Sequence, residues 1–140
     1  MPFPALSKGR AEGRDSVFYY AKYKNHKTEV DGIVFDSRKE AHRYKELKLM
    51  QENGVIGDLQ RQVRFELIPA QKEPDTRGPK GGVIKGKTIE RKVDYVADFV
   101  YTDVETGEMV VEDTKGMKTK DFIIKRKLML WVHGIRVREI

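Results

Sequence analysis

The 140-residue sequence predicts an α/β domain, a mixed central β-sheet flanked by helices. Three observations carry that prediction. Runs of β-branched and aromatic residues bounded by turn formers are interleaved with two long segments of helical period. Their order reads β(β)–α–β–loop–β–β–α–β, the alternation expected of a layered sheet-and-helix unit. A hydrophobic content of 39%, with six Tyr, six Phe and one Trp, is enough for one real core at this length.

The elements follow from residue to residue. Residues 1–23, rich in Gly, Arg and Lys around "SVFYYAKY", read as a flexible basic arm preceding a domain over 24–140. In "TEVDGIVF", Asp31-Gly32 sits between β-formers and signals a tight hairpin. "DSRKEAHRYKELKLMQENG" is a helix with Ser37 as N-cap and Gly54 just past its end. Ala41, Tyr44, Leu47 and Met50 recur at helical spacing and should face the core. "VRFELIPA" is a strand closed by Pro69. The stretch at about 70–92, dense in Pro, Gly and Lys, reads as a mobile basic loop or a long hairpin tip. "KVDYVADFVYTDVETGEMVVEDTKG" gives two strands joined at Asp103 to Gly107. "KTKDFIIKRKLMLWVHG" is a second helix with a seam of Phe122, Met129 and Val132, closed by Gly134, and "IRVREI" a final strand.

Charge narrows the partners. The net charge of +6 is unevenly placed. Six Lys/Arg stand against two acids in residues 1–28, seven against three in 72–92, and eight against one in 115–138. A polyanion is the natural partner for such clusters. No apolar run approaches the roughly 20 residues of a membrane span, and no apolar stretch marks a secretory leader. Without Cys there is no disulfide, thiolate metal site or thiol nucleophile, and a cytoplasmic location is expected. His26, His42 and His133 lack the spacing of a zinc site.

The stretch "MVVEDTKG" raises the chemical question. Side chains alternate along a strand, so Val111, Asp113 and Lys115 share one face and Glu112 points away. If the preceding hairpin has an even loop, Val100 pairs with Val111 and Asp98 falls opposite Asp113. A three-residue loop would separate the two acids. Two carboxylates that close need something positive between them, and Mg²⁺ suits an all-oxygen site. The plainer alternative is a surface ion pair between Asp113 and Lys115 at a strand end. Glu40 has two readings as well: it completes a capping box with Ser37, or it reaches inward along the stripe of Tyr44 and Leu47. Gln62 is a strand residue that could touch a metal-bound water.

"FDSRKEAHRY", "YVADF" and "VVEDTKG" followed by a basic helix together resemble the PD-(D/E)xK nucleases, the restriction-endonuclease-like superfamily. More closely, the chain from about Lys24 to Ile140 is similar to a family of small phage and prophage proteins related to Holliday-junction resolvase-like endonucleases. The "PD" dipeptide is Ala97-Asp98 here, which changes the residue that shapes the strand but keeps the acid. The resemblance implies Asp98 and Asp113 as ligands of Mg²⁺ or Mn²⁺, Lys115 as catalytic lysine and Glu40 as an assisting metal ligand. It implies hydrolysis of DNA phosphodiesters, of branched or junction DNA in phage recombination, replication or packaging, inside a bacterial host cell. Lys85, Lys87, Lys118, Lys120 and Lys125 would hold the DNA backbone. A homodimer would suit a symmetric junction. A non-catalytic DNA-binding protein on a nuclease fold is the alternative.

Overall fold

The computed structural model describes residues 27–140, so the basic arm expected at 1–23 lies outside the described residues. The chain divides into two compact units, one ending at Gly54 and one spanning Val55–Ile140.

The first unit holds strands β1 (Thr28–Val30) and β2 (Ile33–Phe35) and helix α1 (Arg38–Glu52). The hairpin is the one that Asp31-Gly32 predicts. Both residues take left-handed φ, +54° and +76°, the geometry of a two-residue turn that matches the strand twist. Ser37 caps α1: its Oγ accepts a hydrogen bond from the Glu40 N–H at 3.1 Å. Past the C-cap Asn53, Gly54 takes φ +75°, as the sequence predicts for the helix end. Ala41, Tyr44 and Leu47 are buried as their spacing requires, and Met50 is half-buried. The Tyr44 ring packs against Phe35 of the hairpin, centroids 5.0 Å apart.

The second unit is a mixed four-stranded sheet with one helix. Its strands are β3 (Ile56–Ile68), β8 (Val93–Asp103), β9 (Met109–Asp113) and β10 (Arg138–Glu139), and helix α2 spans Lys120–His133. The order across the sheet is β10-β9-β8-β3. β3, β8 and β9 run antiparallel in succession, while β10 returns through α2 to lie parallel to β9. A parallel return needs a crossover, and α2 provides it. α2 starts at the Thr119 cap and ends at Gly134 in the left-handed region (φ +68°). Phe122 and Met129 of α2 join Leu67, Tyr95, Ala97, Val100, Val111 and Val137 in one core. Val132, expected on the same seam, is instead exposed. At 3.6 residues per turn, ten residues from Phe122 fall about 80° away from its direction.

The strand before Pro69 starts seven residues earlier than "VRFELIPA" suggests, at Ile56. Its first part was hidden by polar residues and irregular backbone. Asp58 and Gln62 both have left-handed φ (+51° and +53°), and the register against β8 shifts between Gly57 and Gln60. Residues 70–92 form a paired arm on this hairpin: β4 (Gln71–Lys72) with β7 (Thr88–Glu90), and β5 (Thr76–Arg77) with β6 (Val83–Ile84). The long-hairpin alternative therefore describes the segment. Within the arm, Gly86 passes so close to the opposite backbone that an added Cβ would lie 1.7 Å from the Glu73 carbonyl oxygen.

Candidate active site

The two central strands decide whether the acids meet. Asp103 N–H donates to the Glu108 carbonyl and the Gly107 N–H returns to the Asp103 carbonyl, closing an even, four-residue loop. The register then runs Thr102↔Met109, Tyr101↔Val110, Val100↔Val111 and Phe99↔Glu112. One further step puts Asp98 opposite Asp113, as the valine pairing predicts.

β9 ends at Asp113, and the residues that follow turn back over the pair. Thr114 donates twice to Asp98 Oδ2, from its backbone N–H at 2.9 Å and its hydroxyl at 2.8 Å. Gln62, opposite Asp98 in the β3 register, brings its amide nitrogen to 3.5 Å from Asp98 Oδ1. Tyr95 donates its hydroxyl to Asp113 Oδ2 at 2.5 Å. Lys115 brings its ammonium to 3.8 Å from Asp113 Oδ1 and holds it 5.5 Å from the centroid of the Phe122 ring. Asp98, Asp113, Lys115 and Gln62 thus stand together in the second unit. Glu40 belongs to the first unit, where it is buried on the opening turn of α1.

Burial sets the electrostatics. Asp113 is 1% exposed, and its Oδ1 accepts no hydrogen bond. Its carboxyl is pushed up to about 6, first by loss of water. The Tyr95 hydroxyl opposes this, the neighbouring Asp98 carboxylate adds to it, and Lys115 opposes it again. Loss of water likewise drives the Tyr95 phenol upward, with Asp113 adding to the effect, so Tyr95 is a standing donor. These features distinguish the Asp113–Lys115 pair from a solvated ion pair at a strand end, because only the lysine is partly in water.

Two partners escape a reading of the sequence. Strict alternation puts Tyr95 and Ala97 on one face of β8 and Val100 on the other, yet all three share the core with Val111. The core-facing parity therefore changes across Asp98, next to left-handed Gln62, and Tyr95 reaches Asp113 from a position that period 2 assigns to the far side. Thr114 falls on the Glu112 face by the same count, but it lies past the strand end and turns onto Asp98. Glu112 does point away: fully buried, it accepts from the Tyr101 hydroxyl, with Arg138 4.0 Å off.

Among the described residues no group of three or more His, Asp or Glu converges on one point. The donor set still suits a hard cation such as Mg²⁺, which keeps several waters and needs only one or two carboxylates. The buried, donor-less Asp113 Oδ1 beside a second carboxylate is the specific feature that fits. Of the lysines expected on DNA, Lys118 is held by Glu139 at 2.9 Å and Lys85 lies 3.5 Å from Asp75. Lys87 and Lys120 are exposed and Lys125 is half-buried. No helix among the described residues is long and apolar enough to cross a membrane.

A family model described as a protein of unknown function (DUF1064) matches residues 20–136. No curated protein and no solved structure matches the chain.

Proposed function

The chain belongs to the DUF1064 family of proteins of unknown function, and on the geometry of its paired acids we propose that it is a metal-dependent endodeoxyribonuclease of restriction-endonuclease-like fold. The single observation that carries the reading is the register that pairs Asp98 with Asp113, leaving Asp113 Oδ1 buried, without a hydrogen-bond donor, and facing the Lys115 ammonium.

Asp98 and Asp113 would hold Mg²⁺ or Mn²⁺. Bound there, the ion supplies a Lewis acid for the scissile phosphate and lowers the pKa of an attacking water. The remaining work belongs to the chain. Thr114 fixes one oxygen of Asp98, and Tyr95 fixes one oxygen of Asp113, so that the other two oxygens, Asp98 Oδ1 beside Gln62 and the donor-less Asp113 Oδ1, keep a defined geometry. Lys115, partly exposed, is free to meet a phosphate oxygen and stabilise the charge that grows on it. Gln62 borders the same carboxylate and is placed to orient water. The basic arm at 70–92 and α2 supply cations for the phosphate backbone. Branched DNA in phage recombination, replication or packaging is the substrate this reading favours, with a homodimer suited to a symmetric junction.

Cleavage of labelled single-stranded, duplex, flap and four-way-junction DNA, with Mg²⁺, Mn²⁺ or EDTA, tests it. The expected result is metal-dependent cutting that Asp113→Asn and Lys115→Ala each reduce at least 100-fold. Binding without cutting, equal in wild type and both variants, would leave a DNA-binding protein on a nuclease fold.

A further inference from the structure

We propose that the solvent face of α2 is a stacking surface for unpaired nucleic-acid bases, with Trp131 as the stacking ring. This takes from the nuclease reading only the chemical class of the ligand.

α2 buries Phe122 and Met129. Away from them, Lys120, Ile124, Lys127 and Trp131 recur at i, i+4, i+7 and i+11, one stripe of the helix, and all four are exposed. Trp131 is 86% exposed and Ile124 56%, with Leu130 and Val132 exposed beside the ring. Apolar surface gathered in this way, around the largest apolar side chain there is, marks a binding face rather than scattered exposure.

Charge says what covers it. Lys118 and Arg126 share the single carboxylate of Glu139, which offsets one of their two charges. Lys120, Lys125, Lys127 and Arg136 have no acidic partner among the described residues, and Asp121 is the one acid in residues 115–138. A second copy of the chain would set these cations against their own images, a like-charge contact that opposes docking. An apolar protein partner would have to bury unpaired lysines, which interface cores exclude. A nucleic-acid strand satisfies both halves of the surface. Its phosphates take the ammonium groups and its bases offer a π-face to the indole. Paired bases in a duplex hide that face, so the ligand is a strand whose bases are free. From Lys120 to Trp131 the helix rises about 16 Å, the length of about five stacked nucleotides.

Trp131 is the sole tryptophan, so its fluorescence reports on this surface alone. The intact protein in EDTA is titrated with a dodecamer of thymidylate, with an abasic dodecamer of equal charge, and with a blunt duplex. Stacking predicts strong, saturable quenching by thymidylate and at least several-fold weaker quenching by the other two. Fluorescence anisotropy of labelled thymidylate dodecamer should show about tenfold weaker binding to Trp131→Ala, largely restored in Trp131→Phe, with affinity for the abasic strand unchanged in both. Equal quenching by abasic and thymidylate strands would reduce the face to a charge contact and overturn the proposal. So would no quenching by any probe, or a blue shift that grows with protein concentration alone, which would mean a second copy covers the ring. Because EDTA removes cleavage from the readout, loss of stacking with intact junction cutting refutes this proposal only. Stacking without any cutting refutes the nuclease reading only.

Discussion

Asp113 carries the tension of the site. Taken out of water beside Asp98, its carboxyl sits at about 6 against an ordinary 3.8, with the Tyr95 hydroxyl and the Lys115 ammonium offsetting only part of the cost. A carboxyl raised in the fold favours the neutral form. Its contribution is fully present below about pH 4 and is lost as pH rises through about 6. The difference amounts to about 3 kcal/mol in metal-free buffer. Asn at this position keeps an oxygen that Tyr95 can meet and carries no charge. Asp113→Asn should therefore raise the thermal midpoint above that of wild type at pH 7.5 in EDTA, with the gain shrinking to nothing near pH 4. Thermal melts across that range check it, and a variant less stable at every pH would refute the account of the burial cost. A buried carboxyl so strongly perturbed by lost water and a neighbouring acid, on a central strand of the sheet, has the character of a functional-site residue.

At the scale of elements, the same backbone that departs from ideal geometry positions the site. The left-handed Gln62 and the shift of core-facing parity at Asp98 occur side by side on paired strands. They let β8 bury Tyr95 and Ala97 before Asp98 and Val100 after it. The arm over 70–92 depends on another local constraint, the close passage of Gly86 to Glu73. Gly86→Ala should break that approach and unpair β4 from β7, while the β3–β8–β9 sheet stays folded. Hydrogen exchange gives the check: protection should fall in Gln71–Lys72 and Thr88–Glu90 and hold in Val93–Asp103. Undiminished protection in the arm would show that the backbone there yields at little cost.

Across the chain, charge is distributed in patches rather than spread, and on the proposed nucleic-acid binding that distribution sets the salt dependence. A protein that neutralises phosphates with Lys and Arg loses affinity as salt rises, by a slope of about 0.7–0.9 per contact in a log–log plot. Lys120 and Lys127, exposed on one stripe of α2, should each account for one such contact. Alanine at either should lower the magnitude of the salt slope by about that amount, and the effects should add at sites this far apart. Lys118→Ala, by contrast, should change the slope little, since Glu139 already holds that ammonium. Equilibrium binding to a fixed oligonucleotide at several salt concentrations measures all three. An unchanged slope in the Lys120 and Lys127 variants would move the DNA contact off this helix.

Much of this was legible from residue types in order. Asp31-Gly32 specified a turn because both residue types tolerate the left-handed backbone that a tight two-residue hairpin of matching twist requires. Ser37, Gly54 and Gly134 marked helix ends because free backbone groups there demand a cap or a left-handed residue. The pairing of Asp98 with Asp113 could be argued from loop length and from matching Val100 to Val111, which are local quantities. The sequence by itself thus determined the element order, the caps and the four charged residues worth testing. What only the tertiary structure decided was how those residues are held. Tyr95 and Thr114 meet the two aspartates from positions that strict alternation assigns elsewhere, since the core-facing side of β8 changes at Asp98 and Thr114 lies past the end of β9. The early start of β3, the pairing of the 70–92 arm and the exposure of Val132 and Trp131 belong to the same class. Each depends on which surfaces face one another in space, and a one-dimensional pattern contains no such information.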